Sequence, residues 1–180
     1  LAPEIRRTKA DVRSALGVAA NKIKKGEVIA GITGTWEGYV ADPNYLYKLG
    51  VDSGNWAADP DYPQDLTKES GMMVLDPSSY GANWIYTRNS YNFTGYTKFN
   101  IDVMPVGNNL PTMVRLLRYK NNGGIGDDID EIESPGFSNG VRKTLTFDIS
   151  NFNATCQPQI WFYRSTSPNY KMNIYNVWFS

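Results

Sequence analysis

The chain has 180 residues, the length of one ordinary domain, and it carries 18 basic and 18 acidic residues. Its net charge of zero argues against a protein that binds nucleic acid by neutralising phosphates. The sequence contains no histidine, which excludes Ser-His and Cys-His nucleophile pairs, and its one cysteine, Cys156, cannot form an intrachain disulfide. No apolar run approaches the roughly 18 residues of a membrane span, so we expect no membrane insertion.

The beginning of the chain predicts a helix over residues 9–25. Its apolar residues recur at helical spacings of four, three and four: Val12, Leu16, Ala19 and Ile23. Gly26 follows two lysines and suits a helix C-terminus. The apolar stripe packs either within its own domain or against copies of itself. Because the first residue is Leu1, we also expect the chain to be either a piece cut from something longer or a processed product.

The rest of the sequence predicts β-strands. Two segments alternate apolar and polar residues with a period of two, and their apolar sets are Phe99, Ile101 and Val103, and Leu145, Phe147 and Ile149. Further strands are predicted near residues 28–33, 45–49, 72–75, 83–88, 112–119, 159–164 and 171–179. In the last of these, Ile174 and Val177 are out of phase, so we predict a β-bulge near Tyr175 and Asn176. Residues 41–70 otherwise have the composition of a loop.

Short strands separated by turn residues favour a mainly β fold. We predict an antiparallel β-sandwich with a jelly-roll-like arrangement, preceded by an N-terminal α-helix and β-hairpin. The expected division is a helix-and-hairpin element over residues 1–40 and a sandwich domain over residues 41–180.

Four segments also resemble a known group of proteins. Residues 22–36 contain the pattern Ile-x-x-Gly-x-x-Ile-x-Gly-Ile-x-Gly-Thr and resemble a hairpin element in tail-fibre and baseplate proteins of phages and prophages of Gram-positive bacteria. Residues 45–50, 92–103 and 175–179 look like parts of the C-terminal β-sandwich of such proteins. The chain departs from that pattern at Asp52 and its two neighbours, where a cysteine is often found.

The resemblance implies a non-catalytic virion tail component, made in the bacterial cytoplasm, that recognises a carbohydrate on the host surface. It also implies contacts with other tail or baseplate proteins and assembly as a homotrimer. Two alternatives remain open: a structural module of tail assembly, and a carbohydrate-binding module cut from a bacterial enzyme. Hydrolysis by the chain itself ranks last, because no spacing among its 18 carboxylates selects a catalytic pair.

An acidic run offers candidate metal ligands. Five carboxylates fall within residues 127–133, and the three aspartates among them are Asp127, Asp128 and Asp130. Carboxylate oxygens are the ligands that Ca²⁺ prefers, although the spacing does not match an EF-hand loop. We therefore expect either a weak Ca²⁺ site or a solvated acidic loop, and no other cofactor.

Aromatic residues are the candidate ligand-binding residues. Trp161 and Tyr163 share one face of a predicted strand, and Trp84 and Tyr86 share one face of another. If the opposite faces form the core, these rings present flat apolar surfaces on which sugars can stack. Trp56, in a loop that also contains Asp59 and Asp61, could rim the same site. The alternative is that these rings are buried as structural anchors.

Overall fold

The computed structural model describes residues 27–29, 31–33, 44–69, 71–78, 83–120 and 125–180. Within them the chain is built from antiparallel strands, and the predicted mainly β, antiparallel fold is confirmed. No helix in these ranges is long and apolar enough to cross a membrane. The helix predicted over residues 9–25 lies outside the described residues.

The chain divides into two compact units, Leu1–Asp42 and Pro43–Ser180. The described part of the first unit is a hairpin of two short antiparallel strands, β1 (Val28–Ile29) and β2 (Ile32–Thr33). Gly31 in its turn has a φ of 76°, a conformation that glycine adopts without a Cβ clash. The predicted β-hairpin is therefore confirmed.

The second unit contains a first sheet of five strands. These are β4 (Trp56–Ala58), β7 (Trp84–Thr87), β10 (Met113–Arg118), β11 (Asp127–Glu133) and β14 (Pro158–Tyr163). Their order across the sheet is β11-β10-β14-β7-β4, with β11 and β4 at the edges. The sequence predicted β7, β10 and β14. It did not predict β4, which lies in the expected loop, or β11, which was expected to be an acidic loop.

The second sheet has six strands. They are β3 (Tyr45–Lys48), β5 (Leu66–Glu69), β6 (Met72–Leu75), β9 (Lys98–Asn108), β12 (Lys143–Asp148) and β15 (Asn169–Phe179). The main order is β12-β9-β15-β6-β5, and β3 also pairs with β15. A further small pair joins β8 (Tyr91–Asn92) to β13 (Thr155–Cys156), and a 3-10 turn spans Pro63–Asp65.

Strand β15 is the centre of the second sheet. One of its sides pairs with β9 along nearly its full length, and the register shifts between Ile174 and Asn176. The predicted β-bulge is thus confirmed, and it returns Val177 to the inward face with Ile174. The other side of β15 pairs first with β6 and then with β3, and the backbone N–H of Leu49 donates to the carbonyl of Tyr175 at the bulge.

The two sheets share one hydrophobic core. The second sheet contributes the paired rings of Phe99 and Phe147, and the first contributes Ile160 and Phe162. Because side chains of a strand alternate between faces, burial of these residues defines the opposite, outward face of each sheet. The predicted β-sandwich is confirmed in this arrangement, while its jelly-roll-like order stays a prediction.

Candidate functional site

The outward face of the first sheet brings four of the predicted aromatic residues together. Ile160 on β14 is opposite Ile85 on β7, and both are fully buried in the core. Trp161 is opposite Trp84 in the next register position, so both rings lie on the outward side. Tyr163 and Tyr86 are each two residues beyond the tryptophan of their own strand and share this side. Because the strands are antiparallel, the two tyrosines lie at opposite ends of the tryptophan pair.

Trp84 is covered despite its outward position. Only 2% of the residue is exposed, because Tyr119 packs 5.8 Å from its ring centroid and Tyr119 itself stacks on Tyr86 at 4.1 Å. The indole N–H of Trp84 donates to the carboxylate of Asp59, whose pKa is raised by burial. Trp84 is therefore an anchor inside the structure, and it has no ring face open to a ligand.

Trp56 lies in the interior rather than on a loop. It opens β4, is 2% exposed, and its indole N–H donates to the carbonyl of Leu46 at 3.3 Å. Its backbone N–H donates to both carboxylate oxygens of Asp52 at 3.2 Å. These contacts match the structural alternative considered for this residue, although Trp56 also forms part of the lining of the space at the β4 edge that is described below.

Trp161 and Tyr163 remain accessible and form a shallow depression with two residues of β10. Both rings are half-buried, with centroids 4.9 Å apart and planes at 68° to each other. Met113 and Arg115 complete the lining of a space of about 300 Å³. We call these four residues the ring depression.

The orientation of Trp161 is fixed from behind. Its indole N–H donates to Oδ1 of Asn83 at 2.7 Å. Asn83 is itself 1% exposed, its side-chain amide donates to the carbonyl of Phe162, and its own carbonyl accepts from the backbone N–H of Phe162 at 2.9 Å. A ring held in this way loses little conformational entropy when a ligand packs on it.

Arg115 lies beside the two rings, and nearby carboxylates neutralise its positive charge. Its guanidinium pairs with Asp128, lies 3.6 Å from Glu131, and is 5.5 Å from the ring centroid of Trp161. Both carboxylate side chains are nearly half exposed, so they retain lone pairs facing solvent. The ring depression therefore combines two flat rings with charged hydrogen-bond acceptors at its rim.

The aspartates expected to bind Ca²⁺ do not converge on a metal position. They lie on the edge strand β11, where the adjacent side chains of Asp127 and Asp128 point to opposite faces and a register shift separates Asp128 from Asp130. Asp127 pairs with Arg118 at 2.7 Å and Lys120 at 2.5 Å, Asp128 pairs with Arg115, and Asp130 accepts from the backbone N–H of Asp148. No group of three or more metal-ligating side chains forms among the described residues.

A second, larger space lies at the β4 edge of the same sheet. It has a volume of about 460 Å³ and is lined by the ring of Tyr86, by Pro60 and Pro63, and by the cations Lys68 and Arg88. We call it the edge pocket. Tyr86 thus borders this pocket on one side and stacks on Tyr119 on the other.

The outward face of the second sheet is organised differently. Asp102 is 9% exposed there and accepts from Arg142 Nε at 2.9 Å and from Asn176 Nδ2 at 3.0 Å. The half-buried rings of Tyr45 and Trp178 stack on each other there, with centroids 5.7 Å apart. The polar groups and rings of this face therefore partner one another.

Sequence reasoning missed Met113, Arg115 and Arg88 as residues of these two spaces. Arg115 was detectable in principle, since it interrupts the apolar run Val114, Leu116 and Leu117 of a predicted strand. A charged residue at an outward position marks which face meets solvent. Arg88 follows a strand end and has no comparable signal in the sequence.

No protein-family model matches the sequence, and no curated protein matches it. Among solved structures the chain is similar to family 29 carbohydrate-binding modules. One variant of the module CBM29-2 is 16% identical with a TM-score of 0.49, over 76% of this chain and 89% of that chain. Another variant, solved in complex with cellulohexaose, is 16% identical with a TM-score of 0.48, over 74% of this chain and 86% of that chain.

The chain is also similar to part of an enzyme. A glycoside hydrolase family 43 arabinoxylan arabinofuranohydrolase from Bacillus subtilis, in complex with cellotetraose, is 14% identical with a TM-score of 0.43. The match covers 61% of this chain and 21% of that chain. Identity and structural overlap are low in all of these comparisons.

Proposed function

We propose that this chain is a non-catalytic carbohydrate-binding module that holds a polysaccharide in the ring depression. The observation that carries the proposal is the pair of half-buried rings, Trp161 and Tyr163, which line an open space beside charged acceptors. The C–H faces of a sugar pack on such rings as other apolar groups do. Its hydroxyl groups then donate to the carboxylates of Asp128 and Glu131.

Binding of this kind needs no chemical step from the protein. Trp161 is already fixed by Asn83, and Arg115 is already fixed by Asp128, so the ligand meets a surface that changes little. Preorganisation lowers the entropic cost of binding. Cys156 is buried, and burial raises the pKa of its thiol to about 11, which keeps it protonated and unsuited to nucleophilic attack.

The test is binding of the purified chain to a panel of plant and bacterial polysaccharides, by affinity electrophoresis and calorimetry. We expect Trp161→Ala to weaken binding by about 30-fold, since a central aromatic anchor contributes roughly 2 kcal/mol. Tyr163→Ala should weaken it by about tenfold, because its smaller ring offers less area for stacking.

The matched control is Trp178→Ala. This ring is also half-buried and outward-facing, but it lies on the second sheet and stacks on Tyr45. We expect it to leave binding unchanged. Equal losses in Trp161→Ala and Trp178→Ala would contradict the assignment of the site, and absence of binding to every polymer would contradict the function.

The biological setting is a further part of the proposal. The resemblance to tail-fibre and baseplate proteins supports a phage or prophage tail component that binds a host-surface glycan and assembles as a homotrimer, located in the virion tail. A module of a bacterial polysaccharide-degrading enzyme would use the same site. Light scattering separates the two settings, because a trimeric mass supports the tail component and a monomeric mass supports the enzyme module.

A further inference from the structure

A charged arginine in the edge pocket points to the kind of glycan that the chain binds. Arg88 lines this pocket and is exposed, and its guanidinium forms no ion pair with any residue in the described ranges. Elsewhere on the sheets, Arg115, Arg118 and Arg142 each pair with an aspartate. Among the described residues, the positive charge of Arg88 is therefore not offset by a carboxylate, whereas the charges of the other three are.

The other residues that line the edge pocket do not neutralise the charge of Arg88. The pocket's second cation, Lys68, has its Nζ 2.5 Å from Asp52, but none of the described residues that line the pocket is acidic. The remaining walls are apolar and include the ring of Tyr86 and two prolines. A pocket with a stacking ring and an uncompensated cation is complementary to a sugar that bears a negative charge.

The edge pocket and the ring depression lie on one sheet, within reach of one ligand. Trp84 of β7 is opposite Trp161 of β14, and Arg88 follows Trp84 by four residues, so Arg88 lies one strand spacing across and four residues along from Trp161, or about 14 Å away. Gln159 of β14 is opposite Tyr86 of β7, and Trp161 lies two residues from Gln159 on the same face. An oligosaccharide laid over this sheet can contact both places.

We propose that the glycan is acidic, and that the edge pocket holds a sugar carrying a carboxylate, sulfate or phosphate group whose charge is met by Arg88. This inference rests on the proposed function, because it assigns a second contact to the ligand of the ring depression. The guanidinium of Arg88 forms paired N–H hydrogen bonds to the oxygens of the anionic group. Trp161 and Tyr163 bind the neutral face of a neighbouring sugar.

The experiment compares polymers that share a backbone and differ in charge: hydroxyethyl cellulose with carboxymethyl cellulose, dextran with dextran sulfate, and methyl-esterified homogalacturonan with polygalacturonate, with a phosphate-containing wall teichoic acid added. We expect the wild-type chain to bind the acidic member of a pair about tenfold more tightly. Arg88→Ala should reduce this affinity to that of the neutral member. Which acidic member is preferred identifies the anionic group.

The control variant is Lys98→Ala, which removes one exposed positive charge from the second sheet. It should leave the preference for acidic polymers intact, and thermal melting confirms that both variants fold. Equal binding of acidic and neutral polymers, or an unchanged preference in Arg88→Ala, would overturn the acidic subsite. Loss of neutral binding in Trp161→Ala would still support the proposed function in that case, whereas a chain that binds no polymer contradicts both proposals.

Discussion

The two outward faces of the sandwich both carry aromatic rings and charged residues, but they use them differently. On the second sheet, Asp102 is enclosed by Arg142 and Asn176, and Trp178 stacks on Tyr45. On the first sheet, Trp161 and Tyr163 line an open space, and Arg88 has no described ionic partner. Aromatic content alone therefore does not identify a binding face. What matters is whether the rings and charges already have partners within the chain.

The largest expected effect on stability separates Trp84 from Trp161, two of the tryptophans of the first sheet. Trp84→Ala should lower the free energy of unfolding by about 3–5 kcal/mol, because it empties a buried site and leaves Asp59 without the indole donor. Trp161→Ala should lower it by roughly 1–2 kcal/mol, since its ring is only partly buried. Denaturant unfolding measures both. Equal losses would mean that the ring depression is core and not a binding surface.

The next largest effect on stability is expected from the charged groups of the two outward faces. Asp102→Ala should lower the free energy of unfolding by about 2 kcal/mol, because it leaves the donors of Arg142 and Asn176 without an acceptor. We expect less than a fully buried pair would give, since Arg142 is about half exposed. Glu131→Ala, at the rim of the ring depression, should cost under about 0.5 kcal/mol.

When glycan binding is measured instead of stability, we expect the two variants to rank in the opposite order. Glu131→Ala removes a proposed acceptor for a sugar hydroxyl and should weaken glycan binding, while Asp102→Ala should not. A loss of binding in folded Asp102→Ala would move the candidate site to the second sheet. Calorimetry with the polymer bound by the wild-type chain provides this readout.

The smallest effect concerns pH at the outer edge of the first sheet. Hydrogen bonds from Lys120 and Arg118 lower the pKa of the Asp127 carboxyl. A lowered folded pKa stabilises the fold above the unfolded-state value, and that contribution is lost as the pH falls through the folded value. The melting temperature of the wild-type chain should therefore exceed that of Asp127→Asn slightly at pH 7, and the difference should vanish in strong acid.

High salt offers an independent control for this pH effect. Asp127 and both of its partners are about half exposed, so their attraction should be screened near 1 M salt. A difference between the wild-type chain and Asp127→Asn that persists at low pH and in high salt would show that the pairing is not its cause.

Much of the fold could be predicted from the alternation of apolar and polar residues along the sequence. The alternation around Phe99 and Phe147 predicted two half-buried strands, and the structure pairs these two residues directly across β9 and β12. The phase change after Ile174 predicted the bulge. Strand β11 was missed because it lies at a sheet edge, where both faces tolerate charge, and because an extra residue at Ile129 shifts its register against β10 and disturbs its alternation.

The candidate site could be predicted only in part. Alternation shows which side chains share a face of one strand, so it grouped Trp84 with Tyr86 and Trp161 with Tyr163, but it cannot show what covers that face. The cover over Trp84 comes from Tyr119, 35 positions away in the sequence. The predicted calcium site had a similar weakness, because carboxylates adjacent in sequence point apart when the segment is a strand.

The position of β15 has a consequence for how the second unit folds. Three strands that come earlier in the chain, β3, β6 and β9, form their pairs in the second sheet around this one strand. As the chain leaves the ribosome, these strands are exposed before their common partner has been made, and every one of these pairings is between residues far apart in sequence. Such contacts form slowly because long loops must close first. We therefore expect the second sheet to assemble late and in one cooperative step, with its unpaired strand edges open to aggregation until β15 is in place.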